Sequence, residues 1–101
     1  MQVDLKLAYP SLPPDADELA TTAALWRYAV NKKFPDGLPR MELRFWARIE
    51  DELDRKVSPI EISVDQWKFL RGAMEATQWP VPWARHAVIL LNAMDEIERS
   101  L

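Results

Sequence analysis

The chain has 101 residues, of which 49% are apolar and 29% are charged, and its formal net charge at pH 7 is −3. This length fits a single domain, residues 1–101, with one core, and the composition is that of a folded protein rather than a disordered one. Because the net charge is negative, the chain as a whole has no positive electrostatic field that would attract nucleic acid. The absence of cysteine excludes disulfides, cysteine nucleophiles and cysteine-bound zinc.

Nothing in the sequence indicates a membrane protein. No apolar run approaches the roughly 18 residues that a transmembrane helix requires. Met1 is followed directly by Gln2, Val3 and Asp4, without a basic and then apolar signal segment. We therefore expect a cytoplasmic protein with no membrane partner.

The N-terminal residues predict a strand and then a helix. From residue 3 to residue 9 apolar and polar residues alternate, which is the period of a half-buried strand, and Pro10 ends the pattern. Residues 11–14 are expected to form an extended linker, because proline restricts the residue before it. Asp15 is the expected N-cap of a first helix over residues 16–33.

A turn at residues 34–37 separates the first helix from the second. Its Phe-Pro-Asp-Gly sequence combines the fixed φ of proline with the conformational freedom of glycine. Pro39 suits the first turn of a helix, where its missing N–H group is not needed, and this helix is expected to run to about Arg55 and stop before Val57. Its apolar stripe is Met41, Phe45, Ile49 and Leu53, with Leu43 and Trp46 beside it.

The following segment predicts a second strand and a capped helix. Residues 60–62 alternate in polarity and are expected to pair with residues 3–7, because a short strand is unstable alone. Ser63 and Gln66 have the spacing of a capping box, which places a third helix over residues 64–77.

The Trp-Pro-Val-Pro-Trp segment at residues 79–83, called the elbow below, is expected to end the third helix and to start a fourth from Pro82 to Leu101. Apolar residues of the fourth helix recur at alternating spacings of four and three: Trp83, Ala87, Leu90, Met94, Ile97 and Leu101. These patterns together predict a mainly helical α+β fold in the order β-α-α-β-α-α, with two helical hairpins and one short two-stranded β element.

The apolar surface of the fourth helix is wider than one neighbouring helix requires, since Val88, Ile89 and Leu91 extend it beyond the seam. Exposed apolar patches and tryptophans mark protein interfaces. We therefore predict a homodimer that forms through the C-terminal helical hairpin, while packing of the elbow tryptophans in the core is the alternative. The predicted interface residues are Trp79, Trp83, Ala87, Leu90, Leu91, Met94 and Ile97.

Cations recur along one side of the second helix at Arg40, Arg44 and Arg48, after Lys32 and Lys33 at the end of the first. Cations in the N-terminal half of a helix repel one another and oppose the helix dipole, so an anionic group is expected beside them. The favoured source is a partner protein or the chain's own acids, which are Asp15, Asp17, Glu18 and Asp36. The alternative is nucleic acid, bound by a helix-turn-helix whose second helix carries the arginines.

The sequence offers little for catalysis. No histidine or carboxylate lies three or four residues from His86, the one histidine, where a second metal ligand would share its helix face. The two glycines, Gly37 and Gly72, do not make a glycine-rich phosphate loop, and the acids at residues 50–54 are interpreted as a solvated face paired with neighbouring bases. We therefore expect no metal, no cofactor and no enzymatic activity.

Residues 59–70 (Pro-Ile-Glu-Ile-Ser-Val-Asp-Gln-Trp-Lys-Phe-Leu), together with the elbow and the helix that carries Leu90 and Leu91, resemble the C-terminal part of small phage and prophage proteins of uncharacterised role. The shared pattern is an alternating strand, a capped helix with a basic residue near its middle, a proline-containing link and a leucine-rich closing helix. The resemblance implies a viral accessory or assembly protein. It agrees with the function expected from the residues, a small non-catalytic protein-interaction module.

Overall fold

The computed structural model describes residues 1–9 and 17–100. Its elements, in chain order, are β1 (Gln2–Val3), α1 (Glu18–Lys33), α2 (Arg40–Asp54), β2 (Ile60–Glu61), α3 (Val64–Ala76) and α4 (Ala84–Arg99), with a 3₁₀ turn (Val81–Trp83) before α4. This order confirms the predicted mainly helical β-α-α-β-α-α fold. The predictions for Pro10, the linker at residues 11–14, Asp15 and Leu101 fall outside the described residues.

The N-terminal strand predicted over residues 3–9 is wrong in extent. Strand pairing is limited to β1 and β2, which are antiparallel, with Gln2 opposite Glu61 and Val3 opposite Ile60. In this antiparallel register the residues after Val3 face Pro59 and Ser58, and the ladder ends there because Pro59 has no backbone N–H to donate.

Beyond Val3 the alternation of apolar residues reflects burial rather than strand pairing. Leu5 and Tyr9 are buried. The backbone N–H of Leu5 donates to Ser58 Oγ at 2.8 Å, and the Tyr9 hydroxyl lies 2.6 Å from Thr22 Oγ1. Side-chain hydrogen bonds therefore attach this segment to the loop before β2 and to α1.

The first two helices begin and end close to the predicted residues. The N-cap of α1 is Asp17, whose carboxylate accepts the N–H of Leu19 at 3.0 Å, and the helix ends at Lys33 as predicted. Gly37 in the next turn has φ 109°, a conformation that glycine adopts without strain. Pro39 stands directly before α2.

The capping box of α3 is confirmed. Ser63 Oγ accepts the N–H of Gln66 at 3.1 Å, and Gln66 Oε1 accepts the N–H of Ser63 at 2.8 Å. Each side chain thus satisfies a backbone donor that the first turn of the helix leaves free, so the start of α3 is determined locally.

Helix α3 lies at the centre of the fold, because both α1 and α2 pack on it. Trp26 of α1 and Trp67 of α3 are fully buried in the core. The Arg71 guanidinium on α3 forms an ion pair with Asp95 of α4. In the part of the chain that the structure describes, no helix is long and apolar enough to cross a membrane.

Candidate functional site

The elbow is a 3₁₀ turn rather than the first turn of an α-helix. The Trp83 N–H donates to the Pro80 carbonyl at 2.9 Å, and α4 begins at Ala84, two residues after the predicted start at Pro82. Proline at residues 80 and 82 fixes φ at two positions. The segment is therefore a stiff corner between α3 and α4.

The predicted interface residues divide between the core and the surface. Ala87, Leu90 and Met94 are buried inside the single chain, and α4 is joined to α3 by the Trp67–Glu98 hydrogen bond and the Arg71–Asp95 ion pair. Trp79, Leu91 and Ile97 are partly buried and pack against that core. Trp83 stays 46% exposed. The a/d pattern of α4 therefore describes intramolecular packing, and the surface of the hairpin is formed largely by other residues.

Three large apolar side chains at and just after the elbow, Val81, Trp83 and Val88, are exposed, and they are called the elbow surface below. Val81 is 88% exposed and Val88 is 54% exposed. Beside Val88, the first turns of α4 form a shallow depression with Ala84 and Ile89 in its wall. Large apolar side chains are thus exposed at the corner where α3 turns into α4.

An apolar cleft of about 160 Å³ lies between α1 and the elbow. Its aromatic walls are Tyr28, Trp79 and Trp83, and the rings of Tyr28 and Trp79 are 5.2 Å apart between centroids. The indole N–H of Trp79 is buried and has no acceptor among the residues that the structure describes. Trp79 is therefore the partly buried wall of the cleft, and the more exposed Trp83 forms the outer edge of the cleft.

His86 is part of an aromatic stack that supports Trp83. Its ring centroid lies 5.4 Å from that of Tyr9 and 5.6 Å from that of Trp83, and both ring nitrogens are buried with no hydrogen-bond partner among the described residues. Within residues 1–9 and 17–100, no group of three histidine, aspartate or glutamate side chains could hold a metal ion. In this structure the imidazole therefore packs between the rings of Tyr9 and Trp83.

The three arginines of α2, Arg40, Arg44 and Arg48, are all exposed. Within the described chain, no ion pair includes any of them. The predicted pairing with Asp17 is not formed, since that carboxylate caps α1, and Glu18 and Asp36 form no described ion pair with the arginines either. The stripe of positive charge therefore faces solvent.

Other cations near this stripe have partners within the chain. Arg27 Nε donates to Glu50 Oε1 at 2.8 Å, and this hydrogen bond raises the pKa of Arg27. Lys32 Nζ lies 5.4 Å from the centre of the Tyr28 ring, and Lys33 Nζ lies 5.5 Å from that of Phe34.

One site was not anticipated from the sequence. The sequence predicted an apolar stripe on α2 that includes Met41, with Leu43 beside it, and in the structure Met41 is 67% exposed and Leu43 is 54% exposed. The N-terminal half of α2 thus projects beyond the core, and its apolar residues lie beside the exposed arginines. The unfavourable position of those arginines in the helix was the one sequence signal that pointed to this region.

No protein-family model, no curated protein and no solved structure matches the chain. The resemblance of residues 59–101 to small phage proteins therefore stays a prediction.

Proposed function

We propose that the protein is a non-catalytic interaction module that forms a homodimer through the elbow surface. The observation that supports this proposal is the exposure of three large apolar side chains, Val81, Trp83 and Val88, at one corner of the fold. Large exposed apolar side chains that are concentrated in one short stretch of a chain are expected to mark an interaction site.

Burial of these side chains in an interface would be strongly favourable. Removing one large apolar side chain from water contributes roughly 1.5–3 kcal/mol. In a twofold-symmetric dimer the same patch is buried on both copies, so each contribution counts twice. Tryptophan at the centre of such a patch is the residue type most often found to dominate binding energy.

The rigidity of the elbow lowers the entropic cost of association. Pro80 and Pro82 restrict the backbone on both sides of Val81, and a tilted contact with the His86 ring limits the freedom of the Trp83 ring. A surface that is already held in one conformation loses little freedom when a partner covers it. A partner can therefore bind the elbow surface without the entropic cost of first ordering this segment.

The proposal is tested by sedimentation velocity of the wild type and two matched valine variants. Val88→Ser removes an apolar group from the elbow surface, whereas Val64→Ser changes a valine of similar exposure, 51%, at the start of α3. We expect a wild-type dimer at high micromolar concentration, a dissociation constant about tenfold weaker for Val88→Ser, and no change for Val64→Ser.

Circular dichroism should show equal helix content in all three proteins, since both positions are exposed. A wild type that stays monomeric up to about 1 mM would refute self-association. Equal weakening by the two valine variants would show that the elbow surface is not the interface.

A further inference from the structure

A groove with an aromatic floor lies where the end of α1 and the start of α2 meet α3. Its apolar residues are Phe34, Met41, Phe45 and Phe69, and its volume is about 390 Å³. We propose that this groove, called the aromatic groove below, binds an acidic protein segment that carries large apolar side chains. The proposal is independent of the elbow surface.

The floor of the aromatic groove is a packed aromatic cluster. The buried ring of Phe69 lies 5.9 Å from Phe34, 6.2 Å from Phe45 and 6.4 Å from Trp46, measured between ring centroids. Rings held this way offer apolar surface that needs no ordering before a ligand binds. Met41 lies at the edge, 67% exposed, and its flexible thioether can adapt to different apolar side chains.

Both signs of charge line the groove itself. Lys33 and Lys68 provide cations, and Glu42 and Asp65 provide carboxylates. Asp65 lies in the first turn of α3, where a negative charge is favourable beside the helix dipole. The lining alone is therefore close to neutral.

The arginines of α2 make the surroundings of the groove positive. Arg44 follows Met41 by three residues, and Arg48 follows Phe45 by three, so each arginine is a surface neighbour of an apolar groove residue. Arg40 lies one helical turn before Arg44. All three guanidinium groups lack a carboxylate partner among the described residues.

This arrangement favours a peptide over nucleic acid. A polynucleotide would bring phosphates along the groove, where Glu42 and Asp65 would repel them. An amphipathic acidic segment places apolar side chains on the floor and its carboxylates outside, against the arginines. Apolar anchors at helical spacing in a groove are a general mode of peptide recognition.

The test uses isotope-labelled full-length protein and an amphipathic helical peptide of ~15 residues, with leucine on one face and glutamate on the other. When the peptide is added, we expect the NMR chemical shifts to change at the residues of α2 and α3 that line the groove. Arg44→Glu should weaken binding about fivefold, and Met41→Ser about tenfold. Raising the salt concentration should weaken binding as well, since exposed charges are screened.

Matched controls separate the groove from the rest of the surface. Leu43→Ser changes a similarly exposed apolar residue on the same helix outside the groove, and Arg99→Glu reverses an exposed arginine on α4. Both should bind like the wild type, as should Val88→Ser, so failure of this proposal is distinguishable from failure of the dimer.

Three results would overturn the proposal. One is the absence of shifts at about 1 mM peptide. Another is equal binding of a peptide in which lysine replaces glutamate. The third is tighter binding of duplex DNA than of the acidic peptide, together with weaker DNA binding by Arg44→Glu. That result would show that the arginines bind nucleic acid.

Discussion

Two buried tryptophans differ in what their indole N–H groups contact. Trp26 and Trp67 are both almost completely shielded from solvent. The N–H of Trp67 donates to Glu98 Oε1 at 2.9 Å, whereas that of Trp26 is buried without an acceptor among the described residues. Replacing each by phenylalanine removes the N–H and a similar volume, so the difference between the two variants isolates the hydrogen bond.

The expected difference follows from the energies of satisfied and unsatisfied donors. A hydrogen bond to a charged group contributes about 1.5–3 kcal/mol, and the lower end applies to Trp67 because the Glu98 side chain is 39% exposed. A buried donor without a partner destabilises the fold by about 1–3 kcal/mol. Trp26→Phe removes this unfavourable contribution, although it also leaves a cavity that lowers stability. We expect Trp67→Phe to be less stable than Trp26→Phe by about 2.5 kcal/mol, which is the sum of the lower limits of these two terms.

Urea denaturation followed by far-ultraviolet circular dichroism measures this difference, because the signal does not depend on tryptophan. In thermal denaturation, this difference in free energy of unfolding would separate the midpoint temperatures of the two variants by about 10 °C for a domain of this length. In a Glu98→Ala background the effect of Trp67→Phe should shrink, since the acceptor is already absent. The reasoning would be refuted if Trp26→Phe destabilised the protein as much as Trp67→Phe in the wild-type background.

Two further predictions concern the N-cap of α3 and the buried Tyr9 of the N-terminal segment. Ser63→Ala should lower the free energy of unfolding by about 1 kcal/mol, whereas Ser63→Thr should retain most of it; equal urea midpoints for wild type and Ser63→Ala would contradict the role of the cap. Burial raises the pKa of Tyr9 from 10.0 to about 12, so its contribution to stability is fully present below about pH 10. That contribution is lost as the pH rises through about 12. Urea midpoints of the wild type should therefore fall across this interval more steeply than those of Tyr9→Phe, and parallel curves would argue against a buried, protonated Tyr9.

The structure also changes how the C-terminal hairpin is interpreted. The spacing of Ala87, Leu90 and Met94 predicted an apolar seam correctly, but a seam is the same in sequence whether it packs inside one chain or between two. Trp83 remains exposed in the 3₁₀ turn before α4, and Val88 remains exposed because it lies off the helix face that buries Ala87, Leu90 and Met94. Periodicity identified the apolar residues, and only the packing of the chain separated core from surface.

The cationic helix shows the same limit. The spacing of Arg40, Arg44 and Arg48 predicted a row of guanidinium groups on one side of α2, and it indicated that an anion was needed. The groove beside this row could not be predicted, because Phe69 belongs to α3, and its meeting with Phe34, Met41 and Phe45 depends on how the helices pack.

Local chemistry determined most of the secondary structure. The capping box at Ser63, the turn around Gly37 and the stop before Val57 depend on a few neighbouring residues, so their positions could be inferred from the chain alone. Tertiary structure decided the length of β1, because strand pairing needs a partner of matching length. It also decided which apolar side chains stay in water and which rings meet in the aromatic groove, because both depend on how separate helices pack, and no local pattern encodes that packing.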